Sequence, residues 1–305
     1  MCSLEEWKTN YLNVCRFQKG LDEKTLKAYR IDLTQFLAFL KENGAEPTRE
    51  SVTKYLTALH ERYKPRSIRR KIASIKAFCF YLEYEGVLQE NIFSRLQIKI
   101  SPPNTLPRTV PLPTIEGILA AVHRQNSADL SKARREAALR DIAVLELLFA
   151  TGVRVSELCF LKASDVQTED GEIKILGKGA KERRIQIANL SVLRALKEYK
   201  EACQIAIDSA GYFFVNRLGN RLSDQSVRTI ISKYAALAGA EMHITPHMFR
   251  HSFATLLLEE DVDIRYIQHL LGHSSIVTTQ IYTHVAGKKQ RDILATKHPR
   301  NRMEF

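Results

Sequence analysis

Thr-Pro-His-Met-Phe-Arg-His-Ser-Phe-Ala-Thr at residues 245–255, Leu-Gly-His-Ser-Ser at 271–275 and Gln-Ile-Tyr-Thr-His at 280–284 gather His247, Arg250, His273 and Tyr282 into one short stretch. Pro246 suits the first turn of a helix, where its missing N–H would have no partner anyway, so a helix is expected from there to about Glu259. On it Phe249, Phe253, Leu256 and Leu257 share a face, expected to be the core face. His247, Arg250 and His251 share another, because residues three and four apart are neighbours on a helix. A second short helix follows, with Asp263 as N-cap, Ile264, Ile267 and Leu271 as apolar positions and Gly272 as the stop. His273 sits at that stop, and Ser274 or Ser275 can cap a third helix carrying Tyr282. Such a fold-back would bring the tyrosine hydroxyl towards Arg250 and the two histidines.

Upstream, the hydrophobic period changes. Residues 172–176 and 184–187 alternate as strands, with turns at Asp170-Gly171 and Gly177-Lys178-Gly179, so a small antiparallel sheet of two or three strands is expected. Lys178 lies at a hairpin tip. The surrounding glycines are no phosphate-cradling loop, since no Ser or Thr follows the lysine. Before the sheet, an apolar helix with Ile142, Leu145, Leu148 and Phe149 stops at Thr151-Gly152, and Arg154 occupies the junction to a short helix with Ser156, Glu157 and Leu158. Taken alone, Arg154 also fits a surface or capping arginine, and Lys178 a solvated turn. Further helices are expected at 190–207, from Ser223 or Asp224 to Gly239, and at 287–297 with Ile293 and Leu294.

The first hundred residues read as helices throughout. Leu26, Tyr29, Leu33, Phe36 and Leu40 recur every three or four residues behind an Asp22 cap. A fourth helix, starting near Pro65, has Ile68, Ile72, Ile75, Cys79 and Leu82 as its buried stripe. Arg66, Arg69, Arg70 and Lys76 lie off that stripe, a basic face suited to phosphates or a groove, or simply to solvent. Pro102, Pro103, Pro107, Pro111 and Pro113 then mark a semi-rigid spacer. The expected domains are 1–100, a linker at 101–113, and 114–305.

The chain of 305 residues carries a net charge of +12, spread over both halves, which favours a polyanionic partner such as nucleic acid. No apolar run approaches a membrane span and the N-terminus lacks the pattern of a signal peptide, so the expectation is a cytoplasmic protein with no membrane partner. The five cysteines are scattered without a Cys-x-x-Cys pair and read as packed, reduced thiols. No Cys/His cluster has metal-ligand spacing, and neither a metal nor another cofactor is expected.

Arg-His-Ser-Phe-Ala-Thr, Leu-Gly-His-Ser and Ile-Tyr-Thr-His together resemble the C-terminal signature of the tyrosine recombinase (phage integrase) family, and are most similar to its Xer-type members. The resemblance implies a mainly α fold with a small antiparallel β-sheet: an N-terminal SAM-like four-helix core-binding domain and a C-terminal DNA breaking-rejoining catalytic domain with a C-terminal helix. Carried over residue by residue, it makes Arg154 the first arginine, Lys178 the hairpin lysine, His247 and Arg250 the histidine and second arginine, His273 the Leu-Gly-His histidine and Tyr282 the nucleophile. Glu157 matches the acidic position that supports the first arginine. His251 and His284 read as structural. Lys181, Arg183 and Arg184, flanking the hairpin, are expected on the DNA backbone.

These residue types suit the chemistry. Attack at a phosphodiester builds negative charge on the non-bridging oxygens, and arginine is always charged and donates paired hydrogen bonds to phosphate. A tyrosine hydroxyl becomes a nucleophile when cations lower its pKa or a base takes its proton. The family activity implied is strand exchange between two DNA sites through a 3′-phosphotyrosyl ester, serving integration and excision or the resolution of chromosome or plasmid dimers. It implies a homo- or hetero-tetramer on two duplexes, with or without a second recombinase. Two rival readings use the same charge and helices: a non-catalytic sequence-specific DNA-binding protein, and a DNA-relaxing enzyme of the type IB topoisomerase kind.

Overall fold

The computed structural model describes residues 3–90, 92–94, 96, 98, 100, 108–125, 131–177 and 182–272, and the chain divides into two compact units, Met1–Thr105 and Leu106–Phe305. The described residues are mainly α-helical, with one small antiparallel sheet that lies in the second unit. No described helix is long and apolar enough to cross a membrane.

Among the described residues four helices build the first unit, and their starts follow from local chemistry. At α1 (Leu4–Phe17), Ser3 accepts the Glu6 N–H while the Glu6 carboxylate reaches back to the Ser3 N–H, a capping box. Asp22 starts α2 (Glu23–Glu42) by accepting the Thr25 N–H at 2.8 Å, a cap of the kind that contributes about 1 kcal/mol. Thr48 caps α3 (Arg49–Arg62), and Pro65 opens α4 (Pro65–Tyr84) with its φ already helical. Leu26, Leu33, Phe36 and Leu40 of α2 meet Ile68, Ile72, Ile75, Cys79 and Leu82 of α4, with Tyr11, Val52, Tyr55 and Leu59 completing the core. Burial pushes the Cys79 thiol up to about 12, so it serves as a small packing group. Cys15, Cys159 and Cys203 are buried as well.

The second unit begins earlier than the proline pattern suggests. Val110 is buried in its core, Pro111 precedes α5 (Leu112–Arg124) and Pro113 lies in that helix's first turn, so the expected linker at 101–113 is cut short. Prolines at 111 and 113 serve a helix start rather than a spacer, since neither N–H is needed there. Pro102, Pro103 and Pro107 lie outside the described residues. Next, α6 (Lys132–Thr151) is buried on nearly every side from Ala138 to Leu148, as befits a central helix. It ends at Gly152, whose φ of 58° is left-handed. A Cβ there would lie 2.6 Å from Phe253 Cδ1, so this close turn needs glycine.

A short α7 (Val155–Cys159) leads to the sheet, in the order β1 (Val166–Gln167), β2 (Glu172–Leu176) and β3 (Glu182–Gln186), antiparallel throughout. Ile173 pairs with Ile185, and Ile175 with Arg183, so the isoleucines and Arg183 share the inward face. The helices α8 (Leu190–Ala210) and α9 (Asp224–Leu237) close the core around Phe213 and Phe214. The buried faces of α10 (Pro246–Glu259) differ from the single stripe expected. Phe249 enters the main core and Leu256 packs against it, whereas Phe253 and Leu257 pack with Ala254 on Ile267 and Leu271 of α11 (Ile264–Leu271). Thus α10 is clasped from two sides, which fixes the residues on its remaining surface.

Candidate active site

The turn at Gly152 sends the chain from α6 into α7 with Arg154 at the N-cap. Glu157, in the first turn of α7, accepts the Arg154 backbone N–H at 2.9 Å and its Nη1 at 2.7 Å. A carboxylate is favoured there because the helix N-terminus carries partial positive charge. From β3, Arg183 grips the same carboxylate with Nη1 at 3.2 Å and Nη2 at 2.7 Å, a two-pronged contact, and donates Nε to the Leu270 carbonyl at 2.8 Å. Side-chain exposure differs sharply across the trio: 5% for Glu157, 7% for Arg183 and 34% for Arg154. Burial alone would push the Glu157 carboxyl up. The Arg183 fork and the bonds from Arg154 outweigh it and hold the group below its ordinary value.

Arg250 approaches from α10. Its Nη1 donates to the Gly152 carbonyl at 2.8 Å and its Nη2 to the Leu271 carbonyl at 2.6 Å. Both oxygens lie at helix C-termini, where the backbone carries partial negative charge that favours a buried guanidinium. Asp263 caps the start of α11 and Gly272, with φ of 65°, ends it. One turn before Arg250, His247 is exposed, while His251 is half-buried. Burial, followed by the nearby charges of His247 and Arg250, lowers the His251 pKa to about 4, so it is neutral near pH 7. Ser252 ties the helix down by accepting the Val110 N–H at 2.7 Å and donating to the Met248 carbonyl.

Two expected site residues far apart in sequence are therefore brought to one place. The Gly152 carbonyl that seats Arg250 belongs to the same turn that presents Arg154. His247 projects from the helix that carries Arg250, and Glu157 supports Arg154 directly. Lys178, Lys181, His273, Tyr282 and His284 lie outside the described residues.

For Arg183 the reading changes. It was expected on the DNA backbone, but it is buried and its fork is engaged by Glu157. The alternation of β3 carried the signal: Arg183 is two residues from Ile185 and must share its inward face. Arg184 is exposed, with Nη1 on Glu172 at 2.9 Å. In the first unit, Arg66, Arg69, Arg70 and Lys76 are all exposed on α4. Arg70 is nevertheless tied at one end to the buried Asp32, which also accepts from Lys71 Nζ at 3.1 Å and Ser74 Oγ at 3.2 Å.

The model of the phage integrase family matches residues 116–289, and that of the phage integrase N-terminal SAM-like domain matches residues 9–86. A tyrosine recombinase of Agathobacter rectalis is 53% identical over 100% of both chains. The tyrosine recombinase XerC of Thermodesulfovibrio yellowstonii is 35% identical over 98% of both. Among solved structures, the XerH site-specific recombinase bound to palindromic difH substrate in a post-cleavage complex has a TM-score of 0.75. It is 22% identical, with 97% of this chain and 85% of that chain covered, a likeness of fold.

Proposed function

The chain belongs to the phage integrase family of tyrosine recombinases, and on that premise we propose which of its residues cut and rejoin DNA. It is a site-specific recombinase, an enzyme of DNA strand transesterification. In the proposed reaction Tyr282 loses its hydroxyl proton to solvent and its Oη attacks a phosphorus of double-stranded DNA. The P–Oη bond forms as the P–O5′ bond breaks, leaving a 3′-phosphotyrosyl ester and a 5′ hydroxyl. A 5′ hydroxyl from the partner duplex then reverses the step. The phosphodiester bond is exchanged for another ester, so the scheme needs neither ATP nor a metal.

Arg154 and Arg250 stabilise the charge that develops on the non-bridging oxygens, an effect strongest in a site with preset donors. His247 adds a hydrogen bond from the same helix. His273 completes the set around the phosphate, and Lys178 delivers a proton to the departing O5′. The observation that carries this reading is the Arg250–Gly152 hydrogen bond of 2.8 Å, which seats the second arginine against the turn that presents the first. Arg66, Arg69, Arg70 and Lys76 on α4, with Lys181 and Arg184 beside the hairpin, supply contacts to DNA phosphates. Exchange between two duplexes calls for four protomers.

Covalent trapping tests the proposal. Nicked duplexes from DNA flanking the protein's own gene are incubated in EDTA with wild type and with Tyr282→Phe, and resolved on a denaturing gel. A labelled adduct with wild type alone is the expected result. An adduct that persists with Tyr282→Phe would assign the nucleophile elsewhere.

A further inference from the structure

Arg183 is a buried cation close to Arg154, and the proposed reaction gives it no role. Its Nη1 and Nη2 both bind Glu157, and its Nε binds the Leu270 carbonyl. A Cβ at Gly272 would lie 2.9 Å from Nη1, so the end of α11 is packed directly on the guanidinium. Strand β3 is thereby joined to α7 and to α11 through one side chain. Arg154, by contrast, gives Glu157 only Nη1 from its side chain and is about a third exposed.

The charge balance gives this arrangement a purpose. One buried carboxylate faces two guanidinium groups. The better-buried arginine makes the two-pronged contact and neutralises the acid, while the net positive charge remains with the outward arginine. Without Arg183, Glu157 would be a buried carboxylate with one cation to satisfy it, and Arg154 would be drawn inward to do so.

We infer that Arg183 is a positioning residue of the recombination reaction: it neutralises Glu157 so that Arg154 keeps its outward donors for the DNA phosphate, and it pins the C-terminal end of α11 to the same carboxylate. This inference rests on the proposed role of Arg154. Arg183 touches no DNA in it, which separates it from a backbone contact.

The test uses the full-length protein with Arg183→Met, Arg183→Lys, and Arg183→Met combined with Glu157→Gln. Three quantities are read: single-turnover adduct formation on the nicked duplex trapped by wild type, the salt dependence of binding to a random-sequence duplex, and thermal unfolding. Arg183→Met is expected to slow adduct formation by about a hundredfold, the scale of a misplaced catalytic group. Its salt slope should match wild type, because no phosphate contact is lost. Adding Glu157→Gln removes the uncompensated charge, and should recover about tenfold of the rate and raise the melting temperature above that of Arg183→Met. Arg183→Lys, which restores the charge without the fork, should fall between.

A salt slope lowered by about one would make Arg183 a phosphate contact and overturn the inference. A double variant no faster and no more stable than Arg183→Met would overturn it too. Should wild type itself give no adduct on any duplex, the proposed nucleophilic reaction fails, yet the unfolding and salt measurements still decide whether Arg183 acts through Glu157.

Discussion

Asp32 in the first unit and Glu157 in the second are buried carboxylates that each serve two cations, and these two clusters are built alike. In the first unit Asp32 is fully buried, Lys71 is buried beside it and Arg70 is 45% exposed. In the second, Glu157 and Arg183 are buried and Arg154 faces outward. Both therefore consist of an acid, an inner base that neutralises it and an outer arginine held at one end. They differ in what they join. Asp32 ties α2 to α4, neighbours in a helical bundle, and the inner Lys71 also lies 4.6 Å from the Tyr63 ring centre. Glu157 ties α7 to a strand and, through Arg183, to the helix end beside Arg250. The same device fixes a bundle in one place and aligns a reaction site in the other.

Breaking the inner pairs should give the largest effects. Asp32→Asn leaves Lys71 buried without a carboxylate and should cost about 3–5 kcal/mol in urea unfolding, most of it recovered when Lys71→Met is added. A cost below about 1 kcal/mol would rank this pair with exposed surface bridges. The outer arginines sharpen the contrast. Arg154→Ala should lower single-turnover cleavage by about a hundred- to a thousandfold at saturating DNA, with little change in melting temperature. Arg70→Ala should cleave at the wild-type rate once bound, while its salt slope for DNA falls by about one. If Arg70→Ala also slowed the bound complex, the two clusters would share a catalytic role.

The smallest effect expected is a pH dependence carried by His251 of the second unit. The pKa of His251 is lowered to about 4, against about 6.5 in an unfolded chain. Between those values the unfolded state takes up a proton that the folded state refuses, so stability is fully present above pH 6.5 and declines as pH falls towards 4. His251→Gln should flatten that decline in thermal unfolding measured across the window. An unchanged slope would place the titrating group elsewhere.

Much of the architecture was legible because local rules and the fold agree. Asp22 capped its helix, Gly152 and Gly272 stopped theirs, and the isoleucines of β2 and β3 alternated towards the core. The family resemblance pointed to Arg154, Glu157, His247 and Arg250, and the fold gathers Arg154, Glu157 and Arg250 around the ends of α6 and α11. Partnerships across long sequence gaps were harder to read. Arg70 and Arg183 both looked like DNA-facing bases, although each answers to an acid on another element. Periodicity held the hint in both units, since Lys71 falls on the stripe of Ile68 and Ile75, and Arg183 on that of Ile185. A charged residue on an apolar face signals a buried partner, but not which one. The two-sided burial of α10 escaped notice for a related reason: its apolar residues serve two separate clusters, so no single stripe describes them.

Arg250 is seated by main-chain oxygens, those of Gly152 and Leu271. Every amino acid supplies such an oxygen, so these two acceptors depend on where the backbone runs rather than on a side chain. What must be inherited is a chain path: a left-handed turn after one helix and the end of another. A substitution elsewhere that leaves this path intact leaves both oxygens where the guanidinium needs them.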